Sequence, residues 1–406
     1  MERFVTEMQK KFTFPIKLWK EGKVSFFAPD QSIYERKDYP PSKFPVFYNP
    51  MMIINRDITL LIIKSYQEEF LDKKIKFGEP LCGIGIRGLR IIKEIGDINV
   101  YLNDINEISI NLLKENMKFN NVNEDELKIS INDANQFMSN YSKPKERFDI
   151  LDIDPFGSPV KFVDSALQAL KGENGLLCVT ATDMPPLVGI YKKACFRKYG
   201  IYPIKTEYSH ELALRILITF LIREAAKYDI NLKILFSYYH QHHIRVFVKS
   251  SMGKLKVNES FKYFGYLYHC FNCNERFLSN LKDTKLSICT SCHSELEIIG
   301  PIWIGKLADK EFLMKMMAFI DNFNFISDKK IRNLITLHLS EIDSQITFHD
   351  TSRLIYEHKL KSIKLSRIID GLKNKGFNAS RTHFSPIGIK TNAKRNEIAE
   401  IIKNLL

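Results

Sequence analysis

Phe148-Asp-Ile-Leu-Asp-Ile-Asp-Pro-Phe-Gly-Ser-Pro159 is the stretch whose residue types and spacing could most directly do chemistry. The apolar run from Phe148 to Ile153 predicts a buried strand. Asp154 stands where it stops, Pro155 ends the backbone ladder, and Gly157 and Pro159 make a turn. An acid followed by proline and an aromatic, at the carboxyl end of a parallel strand, suits a flat heterocycle that carries an amine. The ring stacks on the base face and the carboxylate holds an exocyclic N–H. Spacing alone leaves a second reading open, in which Asp154 only caps a helix predicted from about Phe162 to Leu170.

A second constellation is Cys270-Phe-Asn-Cys273, followed after 15 residues by Cys289-Thr-Ser-Cys292. Two such knuckles close four thiolates around one tetrahedral ion with no open position, which predicts a structural zinc site. It would stabilise a module of about 265–297 that is too small to hold itself together on core burial. Cys82, Cys178 and Cys195 stand apart in apolar surroundings, so no extracellular disulfide framework is indicated. His240, His242 and His243 cluster in an apparent turn and are expected at the surface or facing RNA.

The elements that must position Asp154 alternate. A strand from Ile75 runs into Gly83, Gly85 and Gly88, and a helix follows to about Glu94. Glycines so spaced let backbone pass close to a cofactor at a helix N-terminus. The next strand, Asn99–Asn103, ends at Asp104, whose carboxylate can accept both hydroxyls of a ribose. A third, Leu127–Ile131, ends in Asn132-Asp133-Ala134, where an acid can meet an adenine amino group. The Phe148 strand is fourth and Gly175–Ala181 fifth. Ligand candidates at successive strand carboxyl ends predict an α/β, Rossmann-like doubly wound sheet with one crevice. The glycine loop permits a dinucleotide or S-adenosylmethionine. Arg87 and Glu79-Pro80 beside the loop, with the Asp-Pro-Phe-Gly stretch, favour S-adenosylmethionine.

Composition sets the frame. With 406 residues, 45% hydrophobic and 26% charged, the chain is long enough for two or three domains. It holds no run of eighteen apolar residues, and Met1–Lys20 lacks an apolar secretory core, so a cytoplasmic location without membrane contact is expected. The net charge is +13, and the last 57 residues hold twelve Lys or Arg against five Asp or Glu. That concentration points to a nucleic-acid contact surface. Arg381 and Lys390, expected in loops there, suit phosphate contacts. The helical runs and short extended segments after about Glu311 suggest a winged-helix-like arrangement. The division expected is a cofactor domain at 1–252 and a C-terminal domain at 253–406.

Several motifs occur together and in one order: Glu21-Gly-Lys, Val46-Phe-Tyr-Asn-Pro with Asn55-Arg-Asp, Gly85-Ile-Arg-Gly-Leu-Arg, Asp154-Pro-Phe-Gly-Ser-Pro, Thr180-Ala-Thr-Asp, His210-Glu-Leu-Ala-Leu-Arg-Ile and Ser380-Arg-Thr-His. The chain resembles, over nearly its whole length, the tRNA (guanine-N2) dimethyltransferases that modify the guanosine at position 26. The resemblance implies a class I methyltransferase domain followed by a C-terminal domain peculiar to the family, which with the basic tail is expected to bind tRNA; the sequence makes no obligate protein partner evident. By matched position, Arg56, Arg87, Asp104, Asp133 and Ala134 would bind S-adenosylmethionine. Asp154 would be the catalytic carboxylate, and Phe47 and Phe156 would enclose the guanine. Glu79-Pro80-Leu81-Cys82 departs from the family's usual Asp-Ala-Leu-Ser/Ala, and Val188 stands where a cysteine is common.

Overall fold

The computed structural model describes residues 8–30, 44–68, 74–283 and 285–406. The chain packs into two compact units, Met1–Val179 with Met314–Arg332, and Thr180–Leu313 with Asn333–Leu406.

The first unit begins with a hairpin, β1 (Ile16–Glu21) and β2 (Val24–Pro29), closed by Gly22 in the left-handed region at φ 53°. Helix α1 (Ile53–Gln67) precedes the sheet. Then β3 (Ile75–Glu79), α2 (Ile86–Glu94), β4 (Ile98–Asn103), α3 (Glu107–Phe119), β5 (Leu127–Ser130), α4 (Ala134–Ser139), β6 (Ile150–Ile153), α5 (Val160–Ala169) and β7 (Leu176–Ala181) alternate. The five strands pair in parallel in the order β5-β4-β3-β6-β7. The order reverses between β3 and β6, and a crevice opens at such a reversal beyond the strand carboxyl ends. Every residue of β6 and β7 is buried, as the apolar runs require of strands covered on both faces. The antiparallel pair β8 (Ile230–His240) and β9 (His243–Met252) comes later in the chain.

The second unit carries this hairpin and the long buried helix Ser209–Ala226. His243 does not lie at the surface as expected. It pairs with His240 at the start of β9 and is buried there. A three-stranded sheet follows, with β10 (Phe264–His269) between β11 (Arg276–Asn280) and β12 (Glu297–Trp303). At the C-terminus, β13 (His349–Asp350), the helices Thr351–Glu357 and Leu365–Asn374, β14 (Ala379–Thr382) and β15 (Ser385–Thr391) succeed one another. The sheet order is β13-β15-β14. Leu354, Ile368, Leu372, Ile389, Ile398 and Ile402 form its core. Among the described residues, no helix is long and apolar enough to cross a membrane.

Candidate active site

The strand ends of the first unit converge on one guanidinium. Arg87, in the first turn of α2, is buried, and its Nη1 donates to Glu79 Oε1 at the end of β3. Nη2 donates to Asp154 Oδ2 at 2.6 Å and to Asn55 Oδ1 of α1 at 2.8 Å. Nε lies 3.3 Å from Asp152 Oδ2, inside β6. Three carboxyl groups thus share one cation. Burial, with Asp152 and Asp154 near by, pushes the Glu79 carboxyl up to about 8 despite Arg87. Asp154 lies just past β6 with its side chain 15% exposed, at once anchored and reachable.

Two aromatic rings also meet, one of them two residues past Asp154. The Phe47 and Phe156 ring centroids are 4.3 Å apart with planes at 85°. The two rings are brought together from distant parts of the chain, as expected, but edge to face. A base held between two parallel rings needs about 7 Å, two contacts of ~3.5 Å, so one ring must turn to admit it. Phe156, 60% exposed, is the freer of the two.

The candidate cofactor residues divide. Asp104, at the carboxyl end of β4, accepts the backbone N–H of Gly83 (2.8 Å) and of Asn106 (2.9 Å), and burial raises its pKa. Each oxygen keeps acceptor capacity for a ligand hydroxyl. Gly83 is left-handed (φ 54°), with only the Phe47 carbonyl oxygen within 4 Å of an added Cβ, so backbone is accessible there. Gly85 serves packing instead. Its N–H bonds Cys82 O, and a Cβ would strike Leu113 at 2.5 Å and Leu102 at 2.9 Å. Asp133 is exposed and caps α4 through Asn135 N and Gln136 N, with Ala134 buried behind it. Arg56 is gripped by the buried Glu21, through Nε at 2.7 Å and Nη2 at 2.5 Å, and Nη2 also bonds Asn49 O. Burial opposes the Glu21 charge, but Arg56 and Arg90 outweigh it and hold that carboxyl low. In this structure both candidate arginines are engaged by protein groups.

Asn55 Nδ2 and Glu79 Oε2 are buried without a hydrogen-bond partner. Polar atoms left so cost about 1–3 kcal/mol each, which a polar ligand in the crevice could recover. Acceptors at Asp104, open backbone at Gly83 and these two atoms fit a cofactor with a ribose diol and a charged amino-acid end. The sequence reading did not single out Glu21, Asn55 or Asp152 as functional. For Glu21 and Asn55 the signal was the motifs Glu21-Gly-Lys and Asn55-Arg-Asp, and for Asp152 an acid inside the apolar run from Phe148 to Ile153.

In the second unit the four thiols converge. Cys270 and Cys292 Sγ are 3.4 Å apart and Cys273 and Cys289 Sγ 3.6 Å, close to the ~3.8 Å edge of a tetrahedron with Zn–S of about 2.3 Å. The two knuckles are alike. Asn274 N bonds Cys270 O at 2.8 Å and His293 N bonds Cys289 O at 2.9 Å, with Asn274 and His293 both left-handed (φ 59° and 58°). Arg381 is exposed on β14. Lys390 is not: it lies within β15, 3% exposed, with Nζ 3.1 Å from Glu211 and 3.5 Å from Glu341. The expectation of a phosphate contact at Lys390 is therefore corrected, because two buried carboxylates neutralise this lysine inside the fold.

An acid-Pro-Phe turn at the switch of a doubly wound sheet, beside an open glycine loop and a ribose-accepting aspartate, defines a Rossmann-like methyltransferase site. More narrowly, residues 22–403 match the family model for N2,N2-dimethylguanosine tRNA methyltransferase, and the chain belongs to that family. It is 36% identical over 391 residues to the tRNA (guanine(26)-N(2))-dimethyltransferase of Methanosphaera stadtmanae, covering 95% of this chain and 96% of the relative. It is 37% identical over 370 residues to the tRNA (guanine(26)-N(2)/guanine(27)-N(2))-dimethyltransferase of Aquifex aeolicus, covering 90% and 91%. The solved structure of Trm1 from Pyrococcus horikoshii with S-adenosyl-L-methionine superposes with a TM-score of 0.80 at 32% identity, covering 95% of this chain and 99% of that one.

Proposed function

We propose that this chain transfers methyl groups from S-adenosylmethionine to the exocyclic N2 of the guanosine at position 26 of tRNA, in the cytoplasm, giving N2-methyl- and then N2,N2-dimethylguanosine. The observation that carries the reading is the Asp154 carboxylate, fixed by Arg87 at the sheet's switch point beside the Phe47–Phe156 pair. The bound cofactor would supply an electrophilic methyl group on a sulfonium. Asp104 and the Gly83 backbone would hold its ribose side, and Asp133 with Ala134 its adenine side.

Guanine N2 is a poor nucleophile because its lone pair is delocalised into the ring. No carboxylate can deprotonate it beforehand, so the protein must fix geometry. Asp154 accepts an N2–H and so orients the nitrogen. As the N–C bond forms and the nitrogen gains positive charge, that carboxylate stabilises the charge and takes the proton. The base must leave its stack, and ring contacts with Phe47 and Phe156, about 1–3 kcal/mol per stacked base, offset part of the cost. Cys270, Cys273, Cys289 and Cys292 would hold a structural zinc ion, and the exposed Arg381 would contact tRNA phosphate.

Asp154→Ala tests the reading. Nucleoside mass spectrometry of tRNA incubated with labelled cofactor should show methylated guanosine with the wild type and none with the variant, while calorimetry shows cofactor binding in both. Turnover near wild type would remove Asp154 from the mechanism.

A further inference from the structure

From Ile190 to Lys205 the second unit carries five basic residues, no acidic ones and four aromatics. The helix Lys192–Tyr199 turns Cys195 and Tyr199 inward, both buried, and leaves Lys192, Lys193, Phe196 and Arg197 on its outer face. Gly200 ends it in the left-handed region at φ 73°, and the chain doubles back. This return stacks Tyr202 on Phe196, with centroids 4.3 Å apart and planes at 20°. The rings remain 52% and 46% exposed, and Tyr191 beside them 62%, more than packing alone explains. The base of the patch is pinned, since Tyr199 Oη donates to Asp183 at 2.7 Å and Lys198 pairs with the same carboxylate at 2.8 Å. Lys192, Lys193, Arg197 and Lys205 have no ion-pair partner among the described residues.

Cations without counter-ions around exposed rings match one kind of partner. The charges suit a phosphate backbone, and the ring faces suit bases that are not paired, since a base within a duplex offers no free face. An acidic protein surface would satisfy the lysines but not the stacked rings. We infer that Lys192, Lys193, Arg197 and Lys205, with Phe196 and Tyr202, form a second RNA-binding surface, which takes a segment of the substrate tRNA containing unpaired bases. This rests on the tRNA reading above and adds a contact outside the methyl-transfer crevice. The rings would stack on splayed bases while the cations track the backbone.

The test uses the full chain and a tRNA transcript, with affinity measured by fluorescence anisotropy across a salt series. Two variants are compared, K192Q/K193Q/R197Q and F196A/Y202A. Cofactor affinity and the thermal midpoint serve as controls for folding. The charge variant should bind more weakly and flatten the slope of log affinity against log salt by about two to three, because each lost phosphate contact removes roughly 0.7–0.9. The ring variant should bind about tenfold more weakly with the slope unchanged, since stacking is not a counter-ion effect. If the wild type binds and methylates tRNA while both folded variants match it in affinity and slope, the surface is refuted and the catalytic reading stands. If the wild type takes up S-adenosylmethionine but no tRNA, the catalytic reading fails and the surface fails with it.

Discussion

Arg87→Lys separates two tasks for the same side chain. If Arg87 grips the cofactor, as the family resemblance implies, the variant should raise KM for S-adenosylmethionine. The structure suggests otherwise, because its guanidinium bridges Glu79, Asn55 and Asp154 and approaches Asp152. A lysine keeps the charge but presents it at one point, and cannot reach both the Glu79 and Asp154 oxygens. One hydrogen bond to a charged group, worth about 1.5–3 kcal/mol, is lost. With that bond gone the Asp154 carboxylate shifts by roughly an ångström, a misplacement that costs about 100-fold in rate. The expected result at saturating cofactor is a kcat some 100-fold lower, with KM for the cofactor within about threefold of wild type. Arg87→Met, which leaves buried carboxyls without a counter-ion, should destabilise the protein by about 3–5 kcal/mol in denaturant unfolding. A lysine variant with wild-type kcat and a much higher KM for the cofactor would refute the positioning role.

Three further outcomes follow from the same coordinates. Burial with Asp152 and Asp154 near by raises the Glu79 pKa in the folded protein to about 8, while the unfolded chain keeps its ordinary, lower value. Its contribution to stability is complete below the unfolded pKa and fades as pH rises toward 8; Glu79→Gln should flatten the stability–pH curve in that window, and an unchanged curve would count against the raised pKa. Elemental analysis of the purified protein should find one zinc per chain, and a strong chelator should lower the melting temperature; a metal-free protein of unaltered stability would leave the four cysteines as plain thiols. Arg381→Ala should lower the salt slope of tRNA binding by about 0.7–0.9, whereas Lys390→Met should leave that slope alone and destabilise folding by about 3–5 kcal/mol; the reverse pattern would restore Lys390 to the RNA surface.

Much of the first unit could be read from the chain because its signals are local. Buried parallel strands appear as apolar runs, and their carboxyl ends are marked by Glu79, Asp104 and Asp154, so element order and crevice followed from spacing. The four cysteines were legible for the same reason, since each knuckle is closed by bonds within five residues. What spacing cannot carry is the partner of a charge. Lys390 looked like a loop cation until Glu211, far away in sequence, proved to sit 3.1 Å from it. Arg56 and Arg87 were assigned to the cofactor through the family resemblance, and spacing gave no sign that the carboxyls of Glu21 and Glu79 fold against them. Gly85 read as a cofactor glycine because the side chains that fill its missing Cβ, Leu102 and Leu113, belong to β4 and α3. The basic and aromatic run from Ile190 to Lys205 was visible in composition and passed over, its exposure being a property of the fold.

The Arg87 cluster also governs how the crevice floor moves. One side chain of α2 rivets the end of β3, the start of α1 and the end of β6, so a shift of any of these elements breaks its bond to Arg87. Such a floor opens only when the whole unit does, and its amides should exchange with solvent as slowly as the most protected in the protein. Adaptation to an incoming nucleotide then falls to the aromatic lining, where Phe156, the more exposed ring, has room to swing. Discrimination among bases would come from a rigid bed and one hinged lid, which confines directed changes of specificity to a few residues around Phe156.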